Sequence, residues 1–253
     1  MYRHLGWLFI FTLMLSPTSF AGQPIFSEMP RWSGGWGVQA VQEYRHKIEV
    51  GQAGSLTTES HILNVDAVYT WKRWIRVTAK APLVLQATRE RQETERGLGP
   101  LTLALPLKRY FNLDGRSGSW TFAPQLRAPS MSKLVMGNPW QHGWGFGYET
   151  ETYQWLFGLS TTLWGNFQDQ RFEQDTHIHL GTNLQGFGSS GHLKLAAGVI
   201  TRGALKQTIY KAGPTFYWRI SDLWHLQTEW RHRRYWESGL SENRIRFGLA
   251  VVY

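Results

Sequence analysis

Asn243-Arg-Ile-Arg-Phe-Gly-Leu-Ala-Val-Val-Tyr253 alternates apolar side chains with charged or small ones. Because the side chains of a β-strand point to opposite faces in turn, Ile245, Phe247, Leu249 and Tyr253 share one apolar face. The other face begins with two arginines. Chain ends usually fray, and a soluble domain rarely ends on its most apolar strand. The pattern predicts an amphipathic strand that continues to Tyr253.

This segment resembles the closing strand of bacterial outer-membrane β-barrels, which typically ends on an aromatic residue. The rest of the chain divides into segments of roughly the 9–11 residues that a tilted membrane strand needs, and an even strand number is usual in single-chain barrels. The twelve predicted segments are 35–48, 61–71, 74–87, 98–111, 119–129, 143–150, 153–167, 172–185, 191–202, 206–219, 223–235 and 243–253. We therefore expect an all-β fold, a single antiparallel 12-stranded transmembrane β-barrel of the outer-membrane type, at residues 35–253.

The N-terminal region is typical of a cleavable secretory signal peptide at residues 1–21. Arg3 and His4 supply positive charge, residues 5–15 form an apolar run, and Ser19-Phe20-Ala21 places small residues at both cleavage-site positions. Residues 22–34 are predicted to be a periplasmic N-terminal leader. We expect export through the periplasm to the bacterial outer membrane.

The composition agrees with a membrane barrel. Aromatic residues make up 15% of the chain, including 14 tryptophans, and Trp and Tyr concentrate where hydrocarbon meets water. The chain has no cysteine, which excludes disulfides and thiolate chemistry. The formal charge of +9 suggests an anionic partner. Lipopolysaccharide, phospholipid or an acidic solute is favoured over nucleic acid.

The connections between the predicted strands alternate in length. Longer polar connections are predicted at 49–60, 88–97, 130–142 and 237–243, and long loops usually lie outside the cell. Pro124 and Pro214 fall inside predicted strands, where they remove a ladder hydrogen bond and make the register uncertain. A soluble sandwich or a lipocalin-like barrel would also alternate. The signal peptide, the aromatic end of the last strand and the tryptophans favour the membrane barrel.

Several short motifs are similar to those of one outer-membrane family, the MetA-pathway phenol-degradation-like ("transporter") group. They are Trp36-Gly37-Val38, Glu43-Tyr44-Arg45 and Gly97-Leu98-Gly99-Pro100-Leu101-Thr102-Leu103. Members usually carry Asp after the second glycine of the last motif, where this chain has Pro100. The resemblance implies a barrel that passes small, often hydrophobic or aromatic compounds, and it transfers no site residues.

The face opposite the apolar stripe is predicted to be basic. Rings of Lys and Arg select anions in pores, and Arg holds carboxylates through paired hydrogen bonds. The alternative is that these cations pair with acidic groups and plug a narrow barrel. The candidate lumen residues are Arg76, Lys80, Lys108, Arg127, Lys194, Lys211, Arg219, Glu229, Arg231, Arg233, Arg244, Arg246, His177 and His179.

Neither a cofactor nor a metal is predicted. His177 and His179 share a strand face, but a zinc site needs a third ligand. The chain has no Gly-x-Ser-x-Gly elbow and no local Ser–His pair on one face, so the prediction is that it is not an enzyme. A lipid-modifying outer-membrane enzyme, of the lipase or deacylase type, stays an alternative.

The predicted function is passive passage of small solutes, with anionic or aromatic compounds favoured. A plugged structural or adhesion barrel is a second alternative. The predicted partners are the lipid bilayer, lipopolysaccharide, a small-molecule solute, and the barrel-assembly machinery, which would read the closing strand that ends at Tyr253. No nucleic acid is expected.

Overall fold

A computed structural model of the protein describes residues 33–51, 54–89, 94–113, 116–130, 140–152, 154–167, 172–184, 191–203, 207–221 and 223–253. The predicted signal peptide and residues 22–32 of the leader lie outside this set. Among the described residues, no helix is long and apolar enough to cross a bilayer. The strand segments are β1 (Trp36–Gly51), β2 (Gly54–Lys72), β3 (Ile75–Arg89), β4 (Glu95–Leu98), β5 (Thr102–Ala104), β6 (Leu107–Leu113), β7 (Arg116–Arg127), β8 (Gln141–Glu151), β9 (Trp155–Asn166), β10 (Phe172–Leu184), β11 (Gly191–Arg202), β12 (Gln207–Arg219), β13 (Trp224–Tyr235) and β14 (Ser241–Val252).

The fourteen segments form a closed antiparallel barrel of twelve strands. The segments β4, β5 and β6 occupy one position between β3 and β7. Pro100 and Pro106 lie between them, and proline has no N–H to donate to a neighbouring strand. The strand predicted at 98–111 is therefore divided into three short segments, which together occupy one strand position in the barrel.

The barrel closes where β1 meets β14. These strands pair from Gly37↔Val252 to Ile48↔Ser241, and β1 also pairs with β2, which pairs with β3. Trp36 and Tyr253 exchange two backbone hydrogen bonds of 2.8 Å each, and their rings lie 5.9 Å apart. Tyr253 is thus held by the first strand, as expected for the closing strand of a barrel.

The apolar side chains point outward and the charged ones inward. Leu103 of the predicted leucine stripe is 45% exposed, whereas Arg76 and Glu43 are 1% and 2% exposed. A soluble barrel would bury its leucines and expose its arginines. The observed orientation suits a bilayer, where apolar surface is covered by acyl chains, and it excludes the soluble alternative.

Aromatic side chains flank the outer apolar belt at both ends. The end that carries Tyr253 has Trp71, Trp74, Trp155 and Trp224, all exposed, and the far end has Trp140, Phe167, Phe172 and Trp236. Rings at these depths match the two interfaces of a bilayer.

One expectation about strand limits needs correction. The connection predicted at 49–60 is wrong, because β1 continues to Gly51 and pairs with β2 down to Gly51↔Gly54. Residues 55–60 are mostly polar yet belong to a paired strand, so polarity alone did not mark a loop. At Pro124 and Pro214 the register does not shift: Pro124 is opposite Trp144, and Pro214 is opposite Leu195. On its other side, β12 pairs with β13 except at Gly213 and Pro214, as expected where proline removes a ladder hydrogen bond.

Candidate functional site

The lumen side chains on β13, β14 and β1 form one charged group, which we call the arginine cluster. Inward positions recur every second residue, and direct cross-strand pairing aligns them: Glu43 is opposite Arg246, which is opposite Glu229. Five arginines and three glutamates give the cluster a formal charge of +2. Its members are Glu43, Arg45, Glu229, Arg231, Arg233, Glu242, Arg244 and Arg246.

Glu43 is the centre of this cluster. Its carboxylate pairs with Arg45, lies 3.1 Å from Arg246 Nε and 3.6 Å from Arg244 Nη1, and accepts a 3.2 Å hydrogen bond from Asn64 Nδ2. Such a buried carboxylate is tolerated because several donors compensate its lost hydration.

The other two glutamates repeat the arrangement. Glu229 lies 2.5 Å from Arg231 Nη2 and 3.2 Å from Arg246 Nη1. Glu242 pairs with Arg244 and accepts a 3.2 Å hydrogen bond from the Tyr235 hydroxyl. Each glutamate pairs with an arginine two residues along its own strand, so these ion pairs run along the wall.

A second group, the histidine cluster, lies on β8 to β12. Glu149 Oε1 lies 3.4 Å from His179 Nε2 and 3.5 Å from Lys194 Nζ. Asp175 pairs with Lys211 and lies 3.8 Å from His177 Nδ1, and His177 Nε2 is 2.7 Å from Ser160 Oγ. The cluster consists of Glu149, Ser160, Asp175, His177, His179, Lys194 and Lys211.

Arginine and aromatic contacts line the lumen near these clusters. The guanidinium of Arg127 lies 3.8 Å from the centre of the Trp164 ring, and its Nη1 donates a 3.1 Å hydrogen bond to Gln141 Oε1. Lys194 Nζ lies 5.6 Å from the centre of the Tyr217 ring. These contacts hold cations against ring faces, where the quadrupole is attractive.

The strand opposite the arginine cluster carries three inward glycines, of which Trp164 covers Gly143 and Gln125 covers Gly145. In a ring of twelve strands β8 lies across from β14, and its inward positions include Gly143, Gly145 and Gly147. A cavity of about 270 Å³ opens on this wall, bounded also by Arg76 and Lys108. The lumen is therefore bounded on one side by the arginine cluster and on the other by this cavity.

The fourteen candidate lumen residues divide into groups. Nine of them belong to the two clusters already described. Glu229 and the four arginines of β13 and β14 lie in the arginine cluster, and Lys194, Lys211 and the two histidines lie in the histidine cluster. Arg76 and Lys108 are buried at the cavity. Lys80 shares the inward face of Arg76 but is exposed, and Arg219 Nε donates a 3.4 Å hydrogen bond to the Ser221 carbonyl near the Tyr253 end. Arg127, against Trp164, is the remaining cation.

The sequence analysis did not include several residues that belong to the two clusters. Asp175 precedes His177 by two residues, so the period-two pattern already placed both on one face. Glu242 and Arg45 follow from the same rule. Ser160 carried no local signal, because its contact with His177 depends on the pairing of β9 with β10.

No group of three His, Cys, Asp or Glu side chains suited to a metal ion occurs in the part of the chain that the structure describes.

The outward apolar belt, the twelve strands and the charged lumen together define an outer-membrane-type β-barrel. No family model and no curated protein matches the chain. In fold it is similar to the COG4313 outer-membrane channel from Pseudomonas putida F1, at 16% identity and a TM-score of 0.64, over 92% of this chain and 100% of that one. It is also similar to the translocator domain of the autotransporter NalP from Neisseria meningitidis, at 10% identity and a TM-score of 0.50, over 86% and 88% of the two chains. These likenesses confirm the predicted fold class.

Proposed function

We propose that this protein is a passive channel of the bacterial outer membrane for small solutes, with anionic and aromatic compounds favoured. The observation that carries the proposal is the division of the lumen into two walls. The arginine cluster covers β13, β14 and β1, while the glycines of β8 leave a cavity opposite. A solute that passes between them meets the arginine cluster on one side and, on the other, a cavity lined by Arg76, Lys108, Ser160 and His177.

The direction of the ion pairs favours a channel over a plug. A plug needs side chains that join opposite walls, so that charges fill the lumen. Among the described residues, the ion pairs of the arginine cluster join positions on one strand or on adjacent strands, such as Glu43 with Arg45 and Arg246. These ion pairs run along the wall and do not join opposite sides of the lumen.

The preference for anions follows from the charge balance. The arginine cluster carries a formal charge of +2, and at the cavity the two cations Arg76 and Lys108 exceed the single carboxylate of Glu149. Cationic linings raise the local concentration of anions. Arg127 and Trp164 add a surface on which an aromatic ring stacks.

Membership of the MetA-pathway phenol-degradation-like group is part of this proposal, supported by the motifs around Gly97 and Glu43. We expect lipopolysaccharide and the bilayer to contact the outer belt, and the barrel-assembly machinery to bind the closing strand that ends at Tyr253. Passage requires neither a cofactor nor nucleic acid. The Ser160–His177 pair faces the lumen and not the lipid, which speaks against the lipid-hydrolase alternative.

Planar-bilayer recording of the purified barrel tests the proposal. We expect stepwise conductance and, under a KCl gradient, a reversal potential of the sign that indicates chloride preference. Absence of conductance from protein shown to be folded would favour the plugged structural barrel. A cation preference would contradict the role of the arginine cluster.

A further inference from the structure

A serine, a histidine and a carboxylate lie next to one another in a row on the lumen wall. Ser160 Oγ is 2.7 Å from His177 Nε2, and the other ring nitrogen, Nδ1, is 3.8 Å from Asp175 Oδ1. His177 Nδ1 is buried and makes no hydrogen bond in this arrangement. A small movement of the Asp175 side chain brings the carboxylate within hydrogen-bond reach, and such contacts are often long before substrate binds.

The fold builds this arrangement through strand register. Ser160 and His177 are directly opposite in the β9–β10 pair, and Asp175 is two residues earlier on the same face. On β11 the residue opposite His177 is Gly198, which is in turn opposite Lys211 on β12. A Cβ at Gly198 would lie 2.7 Å from both the His177 Cβ and the Lys211 Cε. The absence of a side chain there lets Lys211 cross β11 and hold the Asp175 carboxylate.

The serine and the histidine also face open space. Both line the cavity of about 270 Å³, together with Arg76 and Lys108. Gly147 is opposite Ser160 on β8, and a Cβ placed there would have no atom closer than 3.6 Å. A small molecule in the lumen therefore has access to Ser160 Oγ.

We propose that Ser160 is a nucleophile, that His177 is its general base, and that the site cleaves small carboxylic esters inside the lumen. Asp175 is a positioning residue, which orients the imidazole through Nδ1. This activity goes beyond passage of solutes. It also departs from the prediction that the chain is no enzyme, which rested on local motifs and not on the pairing of two strands.

The proposed reaction has two steps, acylation of Ser160 and hydrolysis of the acyl-serine. Ser160 Oγ attacks the ester carbonyl carbon while His177 Nε2 takes the hydroxyl proton, and the C–O bond to the alcohol then breaks as His177 returns that proton to the leaving oxygen. In the second step water attacks the acyl carbon while His177 Nε2 takes its proton. The bond to Ser160 Oγ then breaks, His177 returns the proton to Oγ, and the carboxylic acid is released. The positive charges of Arg76 and Lys108 favour the negative oxygen that develops on the carbonyl.

The purified full-length barrel in detergent micelles tests this with a biotinylated alkyl fluorophosphonate, which labels activated serines, and with p-nitrophenyl acetate. We expect the label on the peptide that contains Ser160. Ser160→Ala should abolish it, and His177→Gln should slow labelling and ester turnover by about a hundredfold. Asp175→Asn should lower kcat for the ester with KM unchanged, which a merely structural role would not do.

Ser60→Ala is the matched control. Ser60 is also buried on the inward face, but its cross-strand neighbours are Arg45 and Ala87, and its loss should leave labelling unchanged. Heat-dependent gel migration reports whether each variant is folded. Absence of label from folded wild-type protein, or equal labelling of Ser160→Ala, would overturn the proposal. Conductance is recorded separately, so failure of this activity is distinguishable from failure of the channel function.

Discussion

Replacement of Glu43 by Gln tests the electrostatic role of the arginine cluster most directly. The substitution keeps the size of the side chain and removes one negative charge from the centre of the cluster. The formal charge of the cluster rises from +2 to +3, counted from five arginines against two remaining glutamates. We expect a stronger preference for chloride over potassium.

The size of the effect follows from Coulomb's law. One unit charge about 6 Å from the path of a monovalent ion in water changes its free energy by about 0.7 kcal/mol. The sign is opposite for chloride and potassium, so the difference of about 1.4 kcal/mol corresponds to roughly a tenfold change in the permeability ratio before salt screening. Screening in the recording buffer reduces this to about threefold.

The same substitution has a cost in stability. Glu43 lies 3.1 Å from Arg246 Nε and 3.6 Å from Arg244 Nη1, and each contact is worth roughly 5 kcal/mol of gross attraction at an effective dielectric constant of 20. Desolvation offsets most of this, and loss of one partner of a buried ion pair costs about 3–5 kcal/mol. The variant must therefore be shown to be folded, by heat-dependent gel migration, before its conductance is interpreted.

The assay is the reversal potential of single channels under a tenfold KCl gradient. Glu59→Gln is the matched control, because Glu59 is exposed on the outer face and accepts a 3.1 Å hydrogen bond from the Tyr44 hydroxyl. It makes the same change in net charge outside the lumen and should leave the potential unchanged. A folded Glu43→Gln barrel with unaltered or weaker chloride preference would show that ions do not pass the arginine cluster.

Three further predictions, two of them with a matched control variant, test the charges and the side-chain faces assigned to the barrel. Arg244→Gln removes a positive charge from the same cluster and should shift the reversal potential in the direction opposite to Glu43→Gln; a shift of the same sign would contradict the charge argument. Gly147→Leu should lower single-channel conductance, because a Cβ there fits without a clash, 3.6 Å from Thr121 Cβ, and the rest of the leucine side chain projects into the cavity. Trp144→Leu, on the lipid face of β8, should leave conductance unchanged. Equal conductance of both variants would put the solute path elsewhere. Leu159→Arg, on the lipid face, should lower the free energy of unfolding in vesicles by about 2–4 kcal/mol, measured by guanidinium titration. Thr162→Arg, on the lumen face of the same strand, should lower that free energy by a smaller amount. Equal losses in the two variants would refute the assigned faces.

Much of the barrel could be predicted because one rule, alternation of faces, governs every strand. The segment predicted at 191–202 coincides with β11, and 172–185 differs from β10 by one residue. Prediction failed where backbone chemistry and pairing decide the outcome. Pro100 and Pro106 interrupt a strand whose side chains alternate without a break, and residues 49–51 and 54–60 pair although most of them are polar.

The lumen shows the same limit. The arginines of β13 and β14 could be grouped from sequence, since consecutive strands of an antiparallel barrel are neighbours. Their partner Glu43 lies about 200 residues away along the chain and meets Arg246 only because the barrel closes between β1 and β14. The contact across the closure depends on the register between two strands, and so does the contact between Ser160 and His177 on the consecutive strands β9 and β10. The alternation of side chains within a single strand does not determine that register.

The pairing of arginines with wall glutamates bears on how a basic lumen passes anions without retaining them. Conduction requires binding that is favourable enough for entry and weak enough for release. Glu43, Glu229 and Glu242 each already occupy guanidinium groups that would otherwise hold a carboxylate through two hydrogen bonds. A passing anion therefore meets a net positive potential but few vacant donors. Glu43→Gln should accordingly raise chloride preference and also slow the passage of a carboxylate such as benzoate, because the released arginines bind it more tightly. A rise in selectivity with an equal rise in benzoate conductance would show that the glutamates do not limit retention.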